Sequence, residues 1–141
     1  MTEDNGMLRK ILVVDDSQLL HRMYDLVLLR YRQQGISILH AKDGAEGLNL
    51  IHQQGDVDLV LLDINMPVMS GLQVLDGLRR SGHLAQLKVI MVSTEGHEVD
   101  VQRALDTGAH AYVTKPFTPA QIHDLISRHF GDVPPAAAHT N

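Results

Sequence analysis

At 141 residues, 44% hydrophobic and 21% charged, the chain has the size and composition of one globular domain with a single packed core. A formal net charge of -5 offers no electrostatic footprint for nucleic acid or anionic lipid, so direct nucleic-acid binding is not expected. The absence of cysteine excludes a disulfide framework and thiolate metal sites.

The N-terminal MTEDNGM has neither a basic segment nor an apolar one, so no cleaved secretion signal is expected. The longest apolar runs, such as LVLL and VIMV, are four residues long, far short of a membrane span. The expectation is a cytoplasmic protein with no membrane association. Along the chain, short β-branched or leucine-rich runs alternate with stretches of helical period, the pattern of an α/β fold with a parallel sheet.

Taken in order, the predicted elements begin with a strand KILVVD (10–15) and a helix over Gln18–Gln33, with Leu19, Leu20, Met23, Val27 and Tyr31 as its apolar stripe and Gly35 after its end. Then come the strand ISILHA (36–41) and a helix capped by Asp43 with Glu46. The strand VDLVLLD (57–63) precedes a helix capped by Ser70 with Gln73. The strand LKVIMVS (87–93) precedes a fourth helix with Val101, Ala104 and Leu105 inward. Last come the strand AHAYVT (109–114) and a fifth helix started by Thr118, Pro119 and Gln121. The first, third and fourth strands are continuous apolar runs, which predicts burial on both faces. After Gly131 the sequence DVPPAAAHTN suggests a disordered tail. The expected organisation is a disordered 1–7, a domain over 8–131, and a disordered 132–141.

The polar exceptions fall in one place. Asp15 and Asp16 end the first strand, Asp63 ends the third, Ser93 ends the fourth, and Lys115 follows the fifth. In a doubly wound sheet of order 2-1-3-4-5, ligands bind at the C-terminal strand ends where the order reverses, between strands one and three. There the three aspartates would crowd together. Two carboxylates at 4 Å repel by roughly 4 kcal/mol at an effective dielectric of 20, so protons or a cation must neutralise them. An all-oxygen acidic site suits Mg²⁺. Aspartate can also serve as a nucleophile toward phosphorus, with Lys115 neutralising the phosphoryl charge and the Ser93 hydroxyl donating to it. Each residue alone has a plain reading: a turn or cap aspartate, a turn serine, a solvated lysine. Their joint placement on four strand ends is what favours chemistry.

The segments ILVVDDS, LVLLDINMPVMSG, VIMVSTEG and GAHAYVTKPF resemble, in order and spacing, the four signature blocks of response-regulator receiver domains, here the stand-alone single-domain type. The resemblance spans about Leu8 to Phe130. It implies a flavodoxin-like fold with five parallel strands and five helices. It further implies that Asp63 is phosphorylated by a sensor histidine kinase or a phosphotransfer protein. Asp15, Asp16, Asp63 and the Asn65 backbone carbonyl would hold Mg²⁺, with Mn²⁺ able to substitute. Lys115 would contact the phosphate, Ser93 and Tyr112 would act as switch residues, and the Lys115-Pro116 bond would be cis. Asn65 and Glu95 would tune dephosphorylation. The surface formed by the fourth helix, fifth strand and fifth helix would bind an effector protein, the chain being a monomer or a phosphorylation-linked dimer. Such a protein is a signalling phosphoacceptor that assists its own modification, not an enzyme with a separate substrate.

An aspartate-based phosphatase would want a second acid where Asn65 stands. A flavin module would want a phosphate-binding loop where Asp15 and Asp16 would repel one. The nine histidines show no metal-ligand spacing and read as solvated; His21 alone could lie near the site.

Overall fold

The structure, a computed structural model, describes residues 7–94 and 98–132. The termini expected to be disordered lie outside these residues except for Met7 and Asp132, and Glu95 lies outside them too. Five strands, β1 (Lys10–Val14), β2 (Ser37–Ala41), β3 (Leu59–Asp63), β4 (Lys88–Thr94) and β5 (Ala111–Lys115), form one parallel sheet in the order β2-β1-β3-β4-β5. The helices are α1 (Gln18–Val27), α2 (Leu29–Gln33), α3 (Gly44–Gln54), α4 (Gly71–Arg80), α5 (Glu98–Thr107) and α6 (Pro119–Phe130), with a 3₁₀ turn at His83–Ala85. No helix among the described residues is long and apolar enough to cross a membrane.

The inner strands are buried on both faces because alternate residues feed two cores. Leu12, Val14, Val60, Leu62, Val89 and Met91 pack against α3, α4 and α5, including Ile51, Val74, Leu75, Leu78 and Ala104. Ile11, Val13, Leu59, Leu61, Ile90 and Val92 pack on the other face with Tyr24, Leu28, Tyr31, Ile122 and Ile126. Strand β3 has no exposed residue at all. Burial of this kind contributes about 1.5–3 kcal/mol per large side chain and fixes the register, since a one-residue slip would exchange the two faces.

The helix starts form as their caps dictate. Asp43 accepts from the Glu46 N–H at 2.8 Å, while Ser70 with Gln73 and Thr118 with Gln121 form reciprocal capping boxes, the latter with Pro119 in the first turn. Glu46 turns its side chain to the Lys42 N–H instead of to the cap residue.

Two expectations need correction. The helix expected over Gln18–Gln33 is divided at Leu28, whose backbone (φ -92°, ψ 6°) leaves the helical basin, so the described residues form six α-helices rather than five. The Leu28 N–H still donates to Tyr24 O and the Arg32 N–H to Leu28 O, so hydrogen bonds continue on both sides of the break. The expected stripe holds in part: Tyr31 is buried and Leu20 and Val27 pack against the core, but Leu19 and Met23 are exposed and Tyr24 and Leu28 take the buried positions. The Tyr24 ring packs against Phe117 with centroids 5.2 Å apart, a long-range contact that selects this face over its neighbour.

Candidate functional site

The C-terminal ends of β1, β3 and β5 bring the acidic and basic residues together. Asp15, Asp16 and Asp63 each place a carboxylate oxygen within 4.8 Å of the others. Asp15 and Asp63 are buried and Asp16 is exposed. Lys115, carried on the last residue of β5, sets its Nζ 3.2 Å from Asp15 Oδ2 and 3.3 Å from Asp63 Oδ1. The peptide bond that follows, Lys115-Pro116, is cis.

The connection after β3 is built tightly around Asp63. The Asn65 N–H donates to Asp63 Oδ1 at 3.3 Å, and the Asn65 amide donates to Thr94 Oγ1 at 3.3 Å, tying this loop to the end of β4. The Gly71 N–H donates to Ile64 O, and helix α4 begins so close that a Cβ at Gly71 would lie 2.2 Å from the Asp63 carbonyl oxygen. Ser93 is buried, one residue beyond Val92, the β4 partner of Asp63. Tyr112, paired with Met91, is half exposed on the edge strand.

Between Pro67 and Met69 the chain reverses in three residues, the Met69 N–H donating to Pro67 O at 2.7 Å, and Val68 takes φ 68° with its side chain fully exposed. A β-branched residue in this region carries strain with no packing to offset it. Val68→Gly is expected to stabilise the protein by about 1 kcal/mol, the relief outweighing the extra chain entropy of glycine. Urea denaturation of the two proteins checks this.

Burial pushes the Asp63 carboxyl up to about 6, with the Asp15 charge adding to the rise and Lys115 and the Asn65 N–H acting against it. Burial pulls the Lys115 ammonium down, but the Asp63 and Asp15 carboxylates outweigh it and leave the group raised. Tyr24, lying beneath the cluster, is raised first by its burial and then by the Asp15 and Asp63 charges. The electrostatics describe a pocket with more negative charge than Lys115 can balance.

The donor set fits a hard divalent cation. Asp15 Oδ2 is buried without a hydrogen-bond partner, and the Lys115 ammonium that lies 3.2 Å from it is shared with Asp63. A buried carboxylate oxygen without a donor, beside two further carboxylates, is an unmet electrostatic need that an oxygen-seeking ion would satisfy.

Of the residues singled out in sequence, Asp15, Asp16, Asp63 and Lys115 converge directly, Asn65 hydrogen-bonds Asp63, and Ser93 sits beside the cluster. Tyr112 lies on the edge strand β5, two strands from the β3 that carries Asp63. Sequence reasoning missed Tyr24, which follows Leu20 by four residues and precedes Leu28 by four. It also missed the Asn65-Thr94 bridge. His21, the histidine expected near the site, brings Nε2 within 2.7 Å of Asp15 O.

Comparison with known proteins agrees with this geometry. The chain is 35% identical over 117 residues to a chemotaxis protein CheY homolog of Campylobacter jejuni, covering 83% of this chain and 88% of that one. It is 34% identical to chemotaxis protein CheY1 of Helicobacter pylori, covering 83% and 93%. Among solved structures, chemotaxis protein CheY4 of Vibrio cholerae superposes with a TM-score of 0.75 at 29% identity, over 86% of this chain and 98% of that one. The family model described as the response regulator receiver domain matches residues 11–127. With that match covering most of the chain and the acidic cluster standing at the sheet's switch point, the protein belongs to the response regulator receiver domain family.

Proposed function

We propose that this receiver domain is a two-component phosphoacceptor in which Asp63 takes a phosphoryl group from a sensor histidine kinase or a phosphotransfer protein. The observation that carries the reading is the convergence of three carboxylates and one ammonium at the end of a strand buried on both faces. In the forward step an ionised Asp63 oxygen attacks phosphorus, the bond from phosphorus to the donor nitrogen breaks, and the donor imidazole leaves. With its carboxyl raised only to about 6, Asp63 is mostly ionised at neutral pH and still more basic than an ordinary aspartate.

Asp15, Asp16, Asp63 and the Asn65 carbonyl would hold Mg²⁺ or Mn²⁺, which supplies charge neutralisation for the incoming phosphoryl group. Lys115, already placed between Asp15 and Asp63, offers its ammonium to a phosphoryl oxygen and orients the group. The buried Ser93 hydroxyl donates to another oxygen. Moving Ser93 toward the phosphoryl group leaves room behind it, and Tyr112, half exposed before modification, turns into that space. The surface of α5, β5 and α6 then changes shape and binds an effector protein. Asn65, two residues past Asp63 and hydrogen-bonded to it, tunes water access and so the lifetime of the modified state. The chain acts on itself rather than on a separate substrate, as a monomer or a dimer formed on phosphorylation.

Incubation with Mg²⁺ and acetyl phosphate tests this. Wild type is expected to acquire one acid-stable, base-labile adduct, and Asp63→Asn none. Equal labelling of both proteins, or of neither, overturns the reading.

A further inference from the structure

The acid pocket is bordered by a second cluster that the phosphoacceptor reading does not use. His21 on α1 and His40 on the edge strand β2 meet with Nδ1 facing Nδ1 at 2.6 Å and ring centroids 4.7 Å apart. Each ring is held from behind. His21 Nε2 lies 2.7 Å from the Asp15 carbonyl oxygen, and His40 Nε2 lies 2.8 Å from an Asp25 carboxylate oxygen. Asp25 follows His21 by four residues, so α1 presents both on one side and β2 delivers His40 between them.

The hydrogen-bond roles follow from the partners. A carbonyl oxygen only accepts, and so does an ionised carboxylate, so both Nε2 atoms must carry the proton. That leaves two Nδ1 lone pairs aimed at each other across 2.6 Å. In the neutral rings such a pair repels, and either a shared proton or a metal ion between the nitrogens relieves it. Two convergent imidazole nitrogens, each with its far nitrogen fixed by an oxygen acceptor, are the donor set that suits a borderline divalent ion. The carboxylate behind His40 is the partner that orients a metal-bound histidine.

We propose that His21 Nδ1 and His40 Nδ1 form a second metal site, for a transition-metal dication of the Zn²⁺ class, completed by solvent. Tetrahedral ligation with Zn–N bonds of about 2.0–2.1 Å asks the two nitrogens to separate by roughly 0.7 Å, a small swing of the rings. The position permits it: His40 and Asp25 are partly solvent-exposed, with side-chain exposures of 31% and 46%, and β2 is an edge strand open to entry. The site differs in kind from the all-oxygen pocket 15–63, which prefers a hard ion. It touches that pocket through one hydrogen bond, from His21 to the Asp15 carbonyl. A metal on Nδ1 makes the Nε2–H a stronger donor and so fastens the turn that carries Asp15 and Asp16. The proposal stands whether or not Asp63 is phosphorylated.

The test is a titration of the full chain with Zn²⁺ in excess Mg²⁺, followed by long-range ¹H–¹⁵N spectra of the histidine rings. The His21 and His40 Nδ1 resonances are expected to shift together and saturate at one equivalent, with Co²⁺ giving visible absorption at the same stoichiometry. His40→Gln and His21→Gln are each expected to abolish this. Asp25→Asn is expected to weaken it about tenfold, the cost typical of losing an orienting partner. His52→Gln should leave it intact. If Zn²⁺ shifts other histidines instead, or fails to shift any, the site does not exist. Undiminished Co²⁺ absorption in His40→Gln would place the ion elsewhere and overturn the assignment. The wild-type spectra decide the matter even if a variant folds poorly. Acetyl phosphate labelling is a separate readout, so failure of either reading is distinguishable from failure of the other.

Discussion

Without divalent cations at neutral pH, Asp63→Asn is expected to be more stable than wild type by about 2 kcal/mol. The cause is the cost of ionising a buried carboxyl beside Asp15, a cost that Lys115 only partly offsets. The sign over pH follows from the direction of the shift. The folded-state value of about 6 lies above the ordinary carboxyl value of 3.8, so the folded protein holds its proton longer than the unfolded chain does. Below the lower value both states are protonated and Asp63 costs nothing. As pH rises through the interval, wild-type stability falls. Above it the full cost is present. The gap between the two proteins should therefore open between about pH 4 and pH 6 and then level off, in urea denaturation followed across that range. Millimolar Mg²⁺ is expected to raise the stability of wild type by about 2 kcal/mol and to have a much smaller effect on the variant, and chelation with EDTA should reverse it. A variant less stable than wild type at neutral pH would mean that the Lys115 contacts dominate the burial cost.

Gly71→Ala is expected to have the largest effect of any single methyl group added near the site, a destabilisation of about 3 kcal/mol. Two effects compete. Alanine favours helix over glycine by about 1 kcal/mol, which would stabilise α4. Against that, the new Cβ would stand 2.2 Å from Asp63 O, 2.8 Å from Ile64 Cα and 2.9 Å from Asp63 C, all of them backbone atoms. None of these is the end of a flexible side chain, and the Gly71 N–H is itself bonded to Ile64 O, so α4 has little freedom to retreat. The clash wins, and part of it is relieved by displacing the Asp63 backbone. Thermal unfolding should show the loss of stability, and acetyl phosphate labelling of the remaining folded protein should be slower. Stability equal to wild type would show that α4 shifts freely and that its close approach does not hold Asp63 in place.

Much of this arrangement was legible in the sequence because it rests on local rules. Asp43, Ser70 and Thr118 cap their helices through bonds three residues away, and a continuous run such as LVLL declares a strand buried on both faces. The clustering of Asp15, Asp16, Asp63 and Lys115 followed from strand ends and strand order. What was hidden depended on contacts between distant segments. Helix α1 carries so many apolar residues, Leu19, Leu20, Met23, Tyr24, Leu26 and Val27 among them, that two adjacent stripes share the helical period. Only the fit of Tyr24 against Phe117 chooses between them. The meeting of His21 with His40 depends on the register that pairs Val13 with His40, which no spacing along the chain records. The break at Leu28 has neither proline nor glycine to announce it, and the bend is set by the packing of Leu28 and Tyr31 beneath it.

The complete burial of β3 has one more consequence. Backbone amides in such a strand, with strands on both sides and helices over both faces, exchange their hydrogens with solvent only when the whole domain opens. Exchange at Val60, Leu61 and Leu62 therefore reads the global free energy of folding directly. Any ion or modification acting at Asp63 should slow or hasten that exchange by the same free energy with which it binds. The central strand is thus a built-in meter, and its three amides would report in one measurement how much of an event at the sheet's rim is felt by the entire molecule.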